Sequence, residues 1–174
     1  MPGTRTAIPA DLVDLPVGAL CALIGPPGSG KSTYAARYPD SWRVCLDVYR
    51  RFATDSEAEQ SATPVAAEIQ NLLLDARLSR ALPVLVDSTN VFPHVRASLL
   101  ARARYWQRPA IAVPFDLPLA TVEAQNADRD RVVPLHIVRE HHQLLPDADQ
   151  LYREGFTAVH TISELLATSA ASHR

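Results

Sequence analysis

Short apolar runs alternate along this chain with longer stretches in which apolar residues recur every three or four positions. The runs at 20–24, 43–47, 84–87, 110–115 and 158–162 read as strands, and helical spacing covers 31–38, 65–81, 94–106, 119–129 and 135–144. Val84-Leu85-Val86 has no polar alternation, which suits a strand covered on both faces, and strand–helix alternation implies parallel strands joined by right-handed crossovers. Pro83, Pro109 and Pro118 punctuate the ends of these elements. The expectation is an α/β fold, a three-layer sandwich around a parallel sheet of about five strands. No repeat or break in composition divides residues 1–174, so they read as one domain with an N-terminal lead over 1–18 and a flexible tail over 167–174.

Composition narrows the field. A chain of 174 residues that is 47% hydrophobic is long enough to bury a core without staples. Cys21 and Cys45 have neither knuckle nor framework spacing and read as small apolar residues of a reducing, cytoplasmic compartment. No run approaches the ~18 apolar residues of a membrane span, and residues 1–20 lack the pattern of a signal peptide. A net charge of -2 excludes a uniformly basic nucleic-acid-binding surface, so a polynucleotide would be held by a local patch. Of the 17 basic residues only Lys31 is lysine, and the arginine bias does not explain why that one remains.

Gly25-Pro-Pro-Gly-Ser-Gly-Lys-Ser32 fits G-x-x-x-x-G-K-[ST] and sits between a predicted strand and a predicted helix. Gly25, Gly28 and Gly30 let successive N–H groups of the loop, with those of Ser29 and Thr33, surround phosphate oxygens. Lys31 supplies a compact cation between the β- and γ-phosphates, where arginine's planar fork fits poorly. Ser32 offers a hydroxyl to Mg²⁺. The segment predicts binding of ATP, GTP or another NTP with Mg²⁺, in a P-loop kinase-like fold. With Lys31 the sole lysine, the guanine-reading N-K-x-D signature of GTPases is excluded, which favours a small phosphotransferase.

In a doubly wound sheet the site lies outside the carboxyl ends of the strands. Asp47 and Asp87 stand at two such predicted ends. Asp47 can take the proton of an attacking hydroxyl, with Arg50 three residues on to hold an acceptor phosphate, or it can cap the next helix. Asp87-Ser-Thr-Asn90 can position Mg²⁺ through Asp87 as a Walker B carboxylate does, or cap the helix near His94.

These motifs together resemble the 5′-hydroxyl polynucleotide kinase family, over about residues 20–162. The resemblance implies that Asp47 is the general base for a 5′-OH, that Arg50 contacts the 3′-phosphate of the terminal nucleotide, and that Asp87 and Asn90 belong to the substrate side. It also implies a helical lid. The family's Arg-Asn start of the lid is Gln125-Asn126 here, followed by Arg129, Arg131 and Val133-Pro134. Arg129 and Arg131 have the spacing to close over the triphosphate and stabilise charge on the transferred phosphoryl, or to pair with Asp128 and Asp130 as a solvated end.

Arg96, Arg104 and Arg108 cluster on one side of the helix at 94–106 and, with Arg50 and Arg51, make either a basic strip toward the site or ordinary exposed cations. Tyr49, Phe52 and Phe92 can stack on a terminal base or pack. His141 and His142 read as surface histidines, Trp42 and Trp106 as packing residues. Three functions follow: transfer of the γ-phosphoryl of an NTP to the 5′-OH end of RNA or DNA; the same chemistry on a sugar, antibiotic or nucleotide-sugar; or a non-catalytic NTP-dependent switch. A monomer and a homodimer fit equally.

Overall fold

A computed structural model describes residues 12–172 of the chain, so the expectations for 1–11 and 173–174 lie outside the described residues. Five parallel strands form one sheet in the order β2-β3-β1-β4-β5: β1 Leu20–Ile24, β2 Arg43–Val44, β3 Val84–Asp87, β4 Ala110–Pro114 and β5 Ala158–Val159. Leu20 is paired in register with both Val84 and Ala110, so β1 lies centrally and its loop emerges between β3 and β4. The helices among the described residues are α1 Lys31–Ala35, α2 Leu46–Thr54, α3 Thr63–Leu78, α4 Pro93–Tyr105, α5 Leu119–Ala127, α6 Leu135–Gln143, α7 Ala148–Glu154 and α8 Ile162–Ser172. None is long and apolar enough to cross a membrane.

The apolar strands explain the layers. Alternate side chains leave a strand on opposite faces, so Leu20, Ala22 and Ile24 join one core with Leu74, Leu78, Leu99 and Leu100, while Cys21 and Leu23 join the other with Tyr34, Phe115 and Ile162. The expected α/β sandwich is therefore present. Residues 12–15, within the expected lead, pack on the sheet: Leu12, Val13 and Leu15 are buried in the second core, where Val13 N–H donates to the Tyr34 hydroxyl and Tyr38 donates to Val13 O. The expected tail is helical as far as Ser172.

β2 is shorter than predicted. The chain is extended at Cys45 and turns helical at Leu46, so Asp47 lies in the first turn of α2. A carboxylate there complements the partial positive charge of the helix start. α7 is a helix that apolar spacing does not predict: Asp147 caps its N-terminus through Gln150 N–H, and Gly155, at φ 117°, ends it.

Candidate active site

The glycine loop leaves β1 at the centre of the sheet and borders a cleft of about 790 Å³. Gly28 and Gly30 take left-handed backbone, φ 83° and 91°, the conformation that a nest of inward N–H groups requires. At Gly28 a Cβ would stand 2.8 Å from Asn126 Cβ, so the position also admits α5 against the loop. At Gly25 a Cβ would meet Ser29 Oγ at 2.8 Å; Gly25 stays behind the lining and its N–H donates to Thr89 O. Lys31 is only 8% exposed and donates to Gly25 O at 2.8 Å, Pro26 O at 2.7 Å and Ser29 Oγ at 3.2 Å. Burial pushes its pKa down to about 8, against the attraction of Asp87 and Asp47. Ser32 and Thr33 line the cleft and are exposed to it.

Across the cleft α2 presents Asp47 and Arg50, one helical turn apart and ion-paired through Arg50 Nη2 and Asp47 Oδ1. Arg50 is buried, and its Nε donates to Glu57 O at 2.9 Å, which fixes the guanidinium. Asp47 keeps 46% of its side chain exposed to the cleft. The carboxylate and the buried guanidinium thus share one wall, as their i, i+3 spacing dictates.

Asp87 reaches the cleft from the end of β3, but an unanticipated partner holds it: Arg43 of β2 donates through Nε at 2.8 Å and Nη2 at 2.6 Å to Asp87 Oδ2. Burial opposes the Arg43 charge, yet Asp87 raises its pKa above the ordinary value. Asn90 does not line the cleft. Its amide donates to Leu23 O at 2.7 Å, Val86 O at 3.2 Å and Ser88 O at 3.1 Å, tying β1 to β3. Asn90, expected on the substrate side, thus stands outside the cleft lining as a tie between the two strands.

Arg129 and Arg131 both line the cleft, on an irregular loop between α5 and α6 instead of the expected helix. Asn126 staples that loop: Nδ2 donates to Val133 O at 2.8 Å and Oδ1 accepts from Val133 N–H at 3.1 Å. Arg129 lies close enough to lower the Lys31 pKa, and Arg131 Nη1 is 3.4 Å from Glu57 O. Gln125 lines the cleft where the resemblance has arginine.

The arginines of α4 do not extend a basic strip to the cleft. Arg96 is fully buried, donating through Nε and Nη2 to Glu154 at 2.7 Å each and through Nη1 to Asn90 O and Val91 O. Arg104 and Arg108 lie at the far end of α4, before the start of β4, where Arg108 donates to Leu78 O. Tyr49 is buried in the core and Phe52 is 71% exposed, outside the cleft lining. Phe92 meets His141 edge-on with ring centroids 5.3 Å apart, and His141, read as a surface residue, lines the cleft. Only the packing of α6 on the loop after β3 brings His141 there.

Among the described residues no cluster of three histidine, cysteine or carboxylate side chains can cage a metal. The donor set instead fits Mg²⁺ in the manner of phosphate-bound magnesium, with few protein ligands and the rest from water and phosphate: the Ser32 hydroxyl is exposed to the cleft, and Asp87, with Oδ2 committed to Arg43, suits a contact through water.

A parallel sheet with a lysine-bearing glycine loop at its centre, a carboxylate opposite and arginines above defines a P-loop, kinase-like domain. The model of an AAA-domain family matches residues 20–147, and the chain belongs to that family. The sequence matches none of the curated proteins compared with it. Among solved structures, a chain of the Pnkp1/Rnl/Hen1 RNA repair complex is similar at 24% identity and TM-score 0.60, covering 83% of this chain and 47% of that one. A chain of a second Pnkp1/Rnl/Hen1 complex is 26% identical at TM-score 0.54, covering 71% of this chain and 42% of that one. A gluconokinase from Sinorhizobium meliloti 1021 shares the fold at 15% identity and TM-score 0.50, covering 90% of this chain and 94% of that one. The chain thus spans less than half the length of the RNA-repair chains it resembles.

Proposed function

We propose that this domain is a polynucleotide kinase that moves the γ-phosphoryl of ATP or another NTP to the 5′-OH end of RNA or DNA. The observation that carries the reading is the Asp47–Arg50 pair, held on one turn of α2 across the cleft from Lys31. Asp47 takes the proton of the 5′-OH as its oxygen attacks the γ-phosphorus; the bond to the bridging oxygen breaks and the NDP leaves. Arg50 keeps donors beyond those bound to Asp47 and Glu57 for the adjoining phosphate of the acceptor. Lys31 and the loop amides hold the donor phosphates, and Arg129 with Arg131 stabilises charge on the phosphoryl in flight. Ser32, and Asp87 through water, would hold Mg²⁺, which would supply positive charge to offset that of the phosphates. The similarity to the RNA repair complexes supports the acceptor class.

A second reading, a kinase of a small hydroxylated molecule, is favoured by charge. Of the arginines expected to lead a polynucleotide in, Arg96 is buried, Arg104 and Arg108 lie at the far end of α4 and only Arg50 lines the cleft, while exposed Asp55, Glu57 and Glu59 stand on the segment after α2. Labelled NTP with a 5′-OH oligonucleotide and its 5′-phosphorylated twin separates the two. Label on the first alone supports the polynucleotide kinase, and label on neither, with normal NTP binding, supports the small acceptor. Asp47→Asn is expected to lower kcat by at least about 100-fold while NTP affinity stays within a few-fold. An equal loss of NTP binding would move Asp47 to the donor side.

A further inference from the structure

Two polar atoms of residues lining the cleft are buried with no hydrogen-bond partner among the described residues, Ser88 Oγ and His141 Nδ1. Leaving such an atom unpaired costs about 1–3 kcal/mol. The remaining one, Gln70 Oε1, belongs to α3 and does not line the cleft.

The two come from different elements, and each element is pinned. Ser88 follows Asp87 in a loop held by Asn90 Nδ2 on Ser88 O at 3.1 Å and by Gly25 N–H on Thr89 O at 2.9 Å. His141 is fixed by the edge-on contact with Phe92, and the next residue, His142, bonds through Nε2 to Leu117 O at 2.9 Å. The sheet order assigns the Ser88 side of this wall to the acceptor half, and His141 meets it through Phe92 of the same loop. β3 lies between β1, which feeds the glycine loop, and β2, which feeds Asp47 and Arg50. The other half, beyond β4 and along α8, is lined by Leu117, Ile162 and Leu166, an apolar seat suited to a nucleobase.

Neither group is a cation. Burial, against Glu140 and with the help of Lys31, pushes the His141 pKa below its ordinary value, so at pH 7 the ring is neutral, with one donor nitrogen and one acceptor. The serine hydroxyl both donates and accepts. Two neutral partners of this kind match another hydroxyl, whereas a phosphate is better met by a charged fork such as Arg50.

We infer that Ser88 and His141 bind a sugar hydroxyl of the acceptor beside its reacting end, the ribose 2′-OH of a polynucleotide, so that the cleft selects RNA over DNA. The inference rests on the reading of Asp47 and Arg50 as the acceptor site of a polynucleotide kinase. A site with polar groups placed for a hydroxyl disfavours the analogue that lacks it, because those groups are then left unpaired.

The test is kcat and KM for 5′-OH RNA and DNA of one sequence, with the wild type, Ser88→Ala, His141→Phe and His141→Asn. Phenylalanine keeps the ring against Phe92 without a nitrogen; asparagine returns a polar atom near the Nδ1 position. The wild type is expected to favour RNA at least about tenfold in kcat/KM. Ser88→Ala and His141→Phe should each raise the RNA KM about tenfold and shrink that preference, with the NTP KM within threefold of wild type, and His141→Asn should recover most of the loss. Equal use of RNA and DNA by the wild type, or variants that shift the NTP KM instead, overturn the assignment and leave the kinase standing. Transfer to neither chain overturns the polynucleotide reading and this inference with it.

Discussion

At the scale of single residues, the Lys31 ammonium lies among the carbonyls of its own loop, with a pKa pushed down to about 8 by burial. An incoming triphosphate favours the charged form, so binding takes up a proton once the pH rises above that value. NTP affinity is therefore expected to be flat below about pH 8 and to fall above it, by at most about tenfold per pH unit, until pH 10. Titration of Kd from pH 6.5 to 9.5 checks this. Lys31→Arg stays charged throughout and should bind with no such fall, while turning over about 100-fold more slowly because its wide fork misplaces the phosphates. A pH-independent Kd in the wild type would remove the buried ammonium from the account. The lysine was legible because it stands alone among arginines; its three carbonyl and hydroxyl partners follow from the loop's path and were not.

Among the elements, β1, β3 and β4 lie within a residue of where their apolar runs put them, since a strand buried on both faces leaves no other arrangement for those side chains. α2 was missed because Leu46 and Val48 continue the apolar character of β2, and the helix is decided by its packing against α3. The lid was legible as a basic segment, but its shape depends on Asn126, fully buried against Gly28 and bonded twice to Val133. Asn126→Ala is expected to release residues 128–133, raising the NTP KM about fivefold and speeding tryptic cleavage after Arg129 and Arg131. Unchanged proteolysis and KM would mean that the lid is held by other contacts.

Across the whole molecule, Arg96 joins α4 to α7 and to the loop behind the cleft. Removing one partner of a buried pair leaves the other uncompensated. Because Glu154 keeps 21% of its side chain exposed, Arg96→Met is expected to cost about 2 kcal/mol, below the ~3–5 of a fully buried pair, and to lower Tm by about 4–8 °C. Thermal melts measure this, and an unchanged Tm would reduce Arg96 to a packing residue. Arg96 holds the Glu154 carboxyl below its ordinary pKa of 4.5, so the pair's stabilisation is full above that pH and fades as the pH falls through the lowered value. By itself the sequence determined the parallel α/β frame and the phosphate loop, because both are local: strand patterning, glycines at fixed offsets and a lysine beside them. Only the tertiary structure decided which arginines remain at the cleft, that Asp87 belongs with Arg43, and that His141 reaches the wall. Those outcomes depend on distant segments meeting, and a helical arginine carries the same letter whether its helix turns it to water or to a buried carboxylate.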